Sequence, residues 1–142
     1  MATTRNASAH WEGSLMEGAG RVTLDSSGLG TFEVTWPART EAPNGKTSPE
    51  ELIAAAHSTC FSMALSHGLA QAGTPATSID TSAAVTFKPG TGITGIALTV
   101  TGAVPGMTAE DFQKAAEDAK AGCPVSQALK AVPITLEAHF TE

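Results

Sequence analysis

The chain has 142 residues, of which 42% are apolar, 14 are glycine and only 15% carry charge, against about 25% charged in ordinary globular domains. That length is one domain or one protomer and buries roughly two-thirds of its unfolded surface, which argues against a disordered tail or a highly charged coiled coil. The net charge of −6 with no Lys/Arg run argues against a nucleic-acid binder, because counterion release from phosphates needs a basic stripe.

Residues 1–8 are small and polar and read as a loose terminus. Strand-like runs over 9–15, 21–25 and 31–36 follow, separated by the glycine turns Glu17-Gly18-Ala19-Gly20 and Ser27-Gly28-Leu29-Gly30, and predict an antiparallel meander. Residues 37–48 read as a polar loop around Pro43-Asn44-Gly45, carrying Arg39, Glu41 and Lys46. Ser48-Pro49-Glu50-Glu51 is a helix start, with a capping serine, proline at the first helical position and a Ser-x-x-Glu box. The helix should run to about Ala72 and stop at Gly73. Its residues are apolar or small almost all round, which predicts cover on every side, some of it from a second chain.

Strands are expected over 78–88 and 93–104 around a Lys88-Pro89-Gly90 turn, with Val85, Phe87, Ile96, Leu98 and Val100 alternating inward. A helix capped at Thr108 should end near Gly122, a short helix should cover 125–130, and a last strand should cover 134–140. Strands followed by helices in this order make the fold class α+β rather than a parallel repeat. The longest strongly apolar run, 52–56, falls far below the ~20 residues of a membrane span. With no basic leader before it, the cytoplasm is the expected compartment. No Gly-x-Gly-x-x-Gly or P-loop opens a helix, so no nucleotide cofactor is expected.

Two cysteines, Cys60 and Cys123, stand far apart in the chain. In a reducing cytosol a static bridge between them would not persist, so the pair is chemical or incidental. Cys60 sits in mid-helix beside Phe61, where a small buried hydrophobe is an equal reading. Cys123 precedes Pro124 at a helix start, where unpaired N–H groups favour a thiolate. Four chemistries could use these groups. Zinc on Cys60, Cys123, His57 and His67 lacks the close ligand pairs of structural sites. A Cys–His hydrolase with His57 as base lacks an evident oxyanion hole. Thioredoxin-like exchange would want Cys-x-x-Cys. A peroxidase needs one thiol that becomes a sulfenic acid and a second that condenses with it. Arg39 is the candidate cation for the attacking thiol, since a guanidinium stays charged and hydrogen-bonds oxygen, and Glu50 or Glu51 could orient it. A solvated surface charge is the ordinary fate of such an arginine.

Residues 48–66, including Ala56-His57-Ser58-Thr59-Cys60-Phe61, and 121–130, including Gly122-Cys123-Pro124-Val125-Ser126, resemble the two signature segments of the osmotically inducible protein C (OsmC) family, which is related to the organic hydroperoxide resistance proteins. Ala9-His10-Trp11-Glu12-Gly13, Thr77-Ser78-Ile79-Asp80-Thr81 and Val104-Pro105-Gly106 extend the likeness over nearly the whole chain. The resemblance implies a single peroxidase domain over 1–142 that reduces organic hydroperoxides, and hydrogen peroxide more weakly, in defence against oxidative and osmotic stress. It implies a peroxidatic Cys60, a resolving Cys123, Arg39 as the thiolate-stabilising cation and Glu50 as its partner, with no cofactor or metal. In the related branch the arginine comes from the N-terminal strands, where Arg21 stands. The expected partners are a second copy in an intertwined homodimer and an external dithiol, such as a lipoylated protein. Ten residues of straight helix separate Glu50 from Cys60 by about 15 Å. The two central helices are therefore expected to cross antiparallel, bringing Arg39 and Glu50 of one chain to Cys60 of the other. Phe61, Met63 and Leu52 could form an apolar mouth or simply pack in the core. The alternative function is a redox sensor or stress-binding protein that uses the same thiols without turnover.

Overall fold

Glycine-bearing turns fold the first three strands onto one another, as expected. In the computed structural model, which describes Met1–Glu142, β1 (Ser8–Glu12), β2 (Ala19–Thr23) and β3 (Thr31–Val34) form an antiparallel sheet in the order β1-β2-β3. The terminus is less loose than its composition implies. Ser8 already belongs to β1, Asn6 N–H donates to Ser26 Oγ at 2.5 Å, and Ser26 N–H donates back to Asn6 O at 3.1 Å.

The expected loop over 37–48 contains a helix. β3 stops at Val34, and α1 (Trp36–Thr40) follows, capped by Thr35, whose Oγ1 accepts from Ala38 N–H at 3.1 Å. A capping threonine two residues before Pro37 is a helix start in miniature, one turn too short to leave a periodic pattern. The turn at Asn44 (φ 49°) and Gly45 (φ 78°) then reverses the chain, and Thr47 N–H donates to Glu33 O at 3.0 Å, tying the return to β3.

Helix α2 (Pro49–Gln71) begins where Ser48 Oγ accepts from Glu51 N–H at 3.1 Å. It ends with Gly73 at φ 84°, where Gly73 N–H bonds Ala70 O and Thr74 N–H bonds Leu69 O, both at 3.0 Å. This closure needs the left-handed residue that glycine supplies. The chain divides into two compact units, Met1–Leu52 and Ile53–Glu142, with the boundary near the start of α2.

In the second unit β4 (Ser78–Lys88), β5 (Gly92–Ala103) and β6 (Ile134–Thr141) form one sheet in that order. β4 and β5 are antiparallel, whereas β6 lies parallel to β5, so α3 (Ala109–Gly122) and α4 (Pro124–Ala128) form a single crossover between β5 and β6. The α+β class stands, with this one parallel connection inside it. The register places Val85, Ile96 and Ile134 in one row and Ala83, Leu98 and Leu136 in the next. Against these rows pack Phe61, Leu65 and Leu69 of α2 and Phe112, Ala116 and Ala119 of α3. The central helix, expected to be covered all round, is covered in this chain along the stripe His57, Phe61, Leu65 and Leu69, while Ala55, Ala56, Met63 and Ala70 face outward. Phe61 is thus a core residue and not part of an apolar mouth.

α3 is held close to β5 because position 102 has no side chain. A Cβ on Gly102 would stand 2.4 Å from the Phe112 ring, which also packs on Phe140 with centroids 5.4 Å apart. Overpacking a filled core of this kind forces a backbone or rotamer shift. Gly102→Ala is therefore expected to cost about 1–3 kcal/mol of unfolding free energy, seen as a lower urea midpoint. Gly95→Ala, where the nearest atom is Pro133 O at 3.6 Å, should change it little.

Candidate active site

The predicted site residues fall into two groups, one in each unit. In Met1–Leu52, Arg39 donates from Nε and Nη2 to both carboxylate oxygens of Glu50, at 3.0 Å and 2.8 Å for the shortest bonds. The pair follows from the local fold. α1 ends with Arg39 near its last turn, and the return through Thr47 sets the first turn of α2, and so Glu50, beside it. Glu50 is buried at 7% exposure, so the carboxylate depends on the guanidinium for its partners. The Trp36 ring lies 5.8 Å from the Arg39 guanidinium carbon, stacking it from one side. Glu51, the other candidate partner, accepts instead from Thr47 Oγ1 at 2.6 Å. Arg21, the alternative arginine, stands exposed on β2 in register with Glu33.

In Ile53–Glu142 the two cysteines meet. Both are free thiols, with Cys60 half-buried and Cys123 fully buried. Cys60 directly precedes core residue Phe61 on α2. Cys123 is at once the C-cap of α3, donating to Ala119 O at 2.9 Å, and the N-cap of α4 ahead of Pro124. The two thiols lie close enough for each to shift the other's ionisation. Burial pushes the Cys60 thiol up from its ordinary value of 9.0, its pairing with Cys123 raises it further, and the Val125 amide opposes both. Burial pushes Cys123 up as well, but the neighbouring Cys60 thiol, the Ser126 amide and hydroxyl and the Val125 amide favour its ionised form and bring it down overall. Within this unit Cys123 is thus the more readily ionised of the two thiols.

Sequence reasoning considered His57 only as a ligand or base. Its ring is fully buried and its Nε2 lies 2.7 Å from Ser126 Oγ. His57 precedes Cys60 by three residues and Ser126 follows Cys123 by three, so each pair shares a helix face and the two pairs bridge α2 and α4 side by side. That equal spacing was the available signal. No cluster of three or more His, Cys, Asp or Glu side chains converges anywhere in the chain, and His67 lies exposed on α2. No helix is long and apolar enough to cross a membrane.

Comparison with known proteins places these features in context. A family profile described as OsmC-like protein matches residues 42–137. Peroxiredoxin OsmC of Escherichia coli (strain K12) is 48% identical over 140 residues, covering 96% of this chain and 96% of that one, and the Shigella flexneri protein of the same name matches equally. Among solved structures, an organic hydroperoxide resistance protein from Elizabethkingia anophelis is 26% identical, with a TM-score of 0.69 over 99% of this chain and 100% of its own. An OsmC-like protein from Mycoplasma pneumoniae has a TM-score of 0.75 over the full length of both chains at 11% identity, which is a likeness of fold.

The buried imidazole gives stability a pH dependence. Burial lowers the His57 pKa below its ordinary 6.5, so the folded chain resists a proton that the unfolded chain accepts. Below pH 6.5 the unfolded state binds more protons, and stability falls as pH falls, by at most about 1.4 kcal/mol per pH unit from this group. Urea unfolding at a series of pH values should show wild type losing stability more steeply than His57→Gln between neutral and mildly acidic pH. Equal slopes would mean that His57 is protonated as readily folded as unfolded.

Proposed function

This chain belongs to the OsmC-like protein family and is a peroxidase of the peroxiredoxin type, and we propose that it reduces organic hydroperoxides with Cys60 as the attacking and Cys123 as the resolving thiol. The observation that carries the reading is that two free thiols distant in sequence come close enough to shift each other's ionisation. Cys60 Sγ attacks the distal oxygen of ROOH and the O–O bond breaks. The alkoxide takes the proton given up by the thiol and leaves as the alcohol, while the sulfur keeps OH as a sulfenic acid. Cys123 Sγ then attacks Cys60 Sγ and forms the disulfide, and the hydroxyl leaves as water. An external dithiol reduces the disulfide and is itself oxidised. A reducing cytoplasm, where such dithiols are maintained, suits this cycle.

The first step needs Cys60 ionised, which the Ile53–Glu142 unit disfavours. Arg39, fixed by Glu50, is the cation assigned to it, and we place it in a second copy of the chain. α2 is one continuous helix, so Glu50 and Cys60 are separated by about 15 Å along its axis. A homodimer whose central helices cross antiparallel brings each Arg39 to the other chain's Cys60. Surface left open in the single chain supports this assembly: Met63 on α2 is 68% exposed, and Trp11 and Phe32 of the first sheet are 40% and 42% exposed.

Turnover of cumene hydroperoxide with excess dithiol tests the roles. Cys60→Ser should abolish consumption, and Cys123→Ser should release one equivalent of alcohol and then stall. A wild-type protein that oxidises once and stops would be a sensor, not an enzyme. The crossing is tested by complementation. Arg39→Met and Cys60→Ser should each lose about a hundredfold or more, yet a purified heterodimer of the two should regain turnover at one of its two sites. A heterodimer as inactive as its parents would place the arginine in the same chain as its cysteine.

A further inference from the structure

The buried His57–Ser126 bond is the one polar contact beside the thiols to which the peroxidase reading gives no role. It has a direction. His57 Nδ1 is buried with no hydrogen-bond partner. A neutral imidazole has one N–H, and a buried donor left unpaired is costlier than a buried lone pair. The proton therefore belongs on Nε2, which donates to Ser126 Oγ across 2.7 Å. With its lone pair so engaged, the Ser126 hydroxyl is free to donate onward, and one turn back along α4 stands the N-cap Cys123, whose thiol the Ser126 side chain draws toward ionisation. We propose that His57 and Ser126 are positioning residues for the second thiol: hydrogen bonds donated from His57 Nε2 to Ser126 Oγ and from Ser126 Oγ to Cys123 Sγ hold that sulfur as an acceptor and keep it aimed at Cys60.

The inference rests on the peroxidase reading and adds to it the residues that prepare the resolving step. In that step Cys123 Sγ⁻ forms the S–S bond, the S–O bond of the Cys60 sulfenic acid breaks, and the departing hydroxide is protonated to water. Cys123 sulfur is oxidised and Cys60 sulfur is reduced to the disulfide level. A sulfur held by this donor favours the thiolate that the step needs, and it cannot rotate away from Cys60 without breaking the bond. The lowered Cys123 pKa agrees with this direction. The titratable groups that face Cys123 are Cys60 and, through Ser126, His57, both on α2. On α3, Lys120 is engaged by Glu117 at 3.4 Å and by the Ile134 carbonyl.

The test uses the reduced full-length protein and two readouts. The first is the ultraviolet absorbance of thiolate against pH, which needs no peroxide. The midpoint of the lower-titrating thiol should rise by about one unit in Ser126→Ala and in His57→Leu. The second is quenched mass spectrometry after one equivalent of cumene hydroperoxide. Sulfenic acid should appear at the wild-type rate, and the 60–123 disulfide should form about tenfold more slowly in the same variants. His57→Gln keeps an N–H at similar reach and should recover most of both effects, which a packing role alone would not predict. Ser126→Ala removes one oxygen atom and carries the test should His57→Leu fail to fold. An unmoved titration midpoint in Ser126→Ala overturns the inference, as does His57→Gln matching His57→Leu. Absence of any Cys60 sulfenic acid in wild type would instead overturn the peroxidase reading, and the titration would still decide the role of Ser126.

Discussion

The contact between Cys60 and Cys123 depends on how two helices are fixed to one sheet. Cys60 lies one residue from Phe61, whose ring is sealed in the core with Leu65 and Leu69, so the sulfur inherits the rigidity of that stripe. Cys123 is placed from the other direction. The parallel pairing of β6 with β5 draws α3 across the sheet, and Phe112 seats in the space left by Gly102. α3 then ends at Gly122, and Pro124 turns the chain into α4. The two thiols meet because these anchorages close on the same point, and each anchorage is apolar packing remote from the sulfurs. In a filled core a small shift in α3 or α2 would be transmitted to the thiols with little loss.

The polar groups serve a different purpose from the core. Desolvating Glu50 costs about as much as its pairing with Arg39 returns, so the ion pair adds little net stability. What it provides is orientation. Two donated bonds to the carboxylate and the Trp36 face fix a planar guanidinium that would otherwise sample many rotamers. The His57–Ser126 bond has the same character in the other unit, since a buried imidazole with an empty Nδ1 is not what a chain selected for stability alone would retain.

Much of the fold was legible because its signals are local. Ser48, Pro49 and Gly73 marked both ends of α2, Thr108 marked α3, and Lys88-Pro89-Gly90 marked the turn between β4 and β5, each through a backbone requirement that few other residues meet. Features set by distant partners were not legible. The parallel seat of β6 depends on sheet order, to which its alternating pattern of Ile134, Leu136, Ala138 and Phe140 is indifferent. α1 is five residues long, and only the Thr35 cap and Pro37 distinguished it from loop. On α2 the small residues gave every face the same apolar look, so composition could not say which stripe this chain itself covers. At the site, both thiols were visible as residue types and Arg39–Glu50 as neighbours in the fold. The partnership of His57 with Ser126 needed α4 laid on α2 before its spacing had meaning.

The opposite shifts of the two thiols give the proposed chemistry an order. Burial and its pairing with Cys123 push Cys60 up while the groups around Cys123 bring it down, so ionisation favours the thiol that acts second in the proposed cycle. Such a site favours resolution before any peroxide arrives, and in the proposed cycle it attacks peroxide when a further positive charge draws ionisation toward Cys60. In the dimer proposed above, a guanidinium from the second chain would meet that requirement and make the first step conditional on assembly, while the second would remain a property of each chain. An unassembled chain would then hold a protonated, slow Cys60 and would be protected from forming a sulfenic acid that has no complete site around it. In that dimer the surroundings that hold back the first thiol would favour the second, because the sulfenic acid would form within reach of the more readily ionised sulfur.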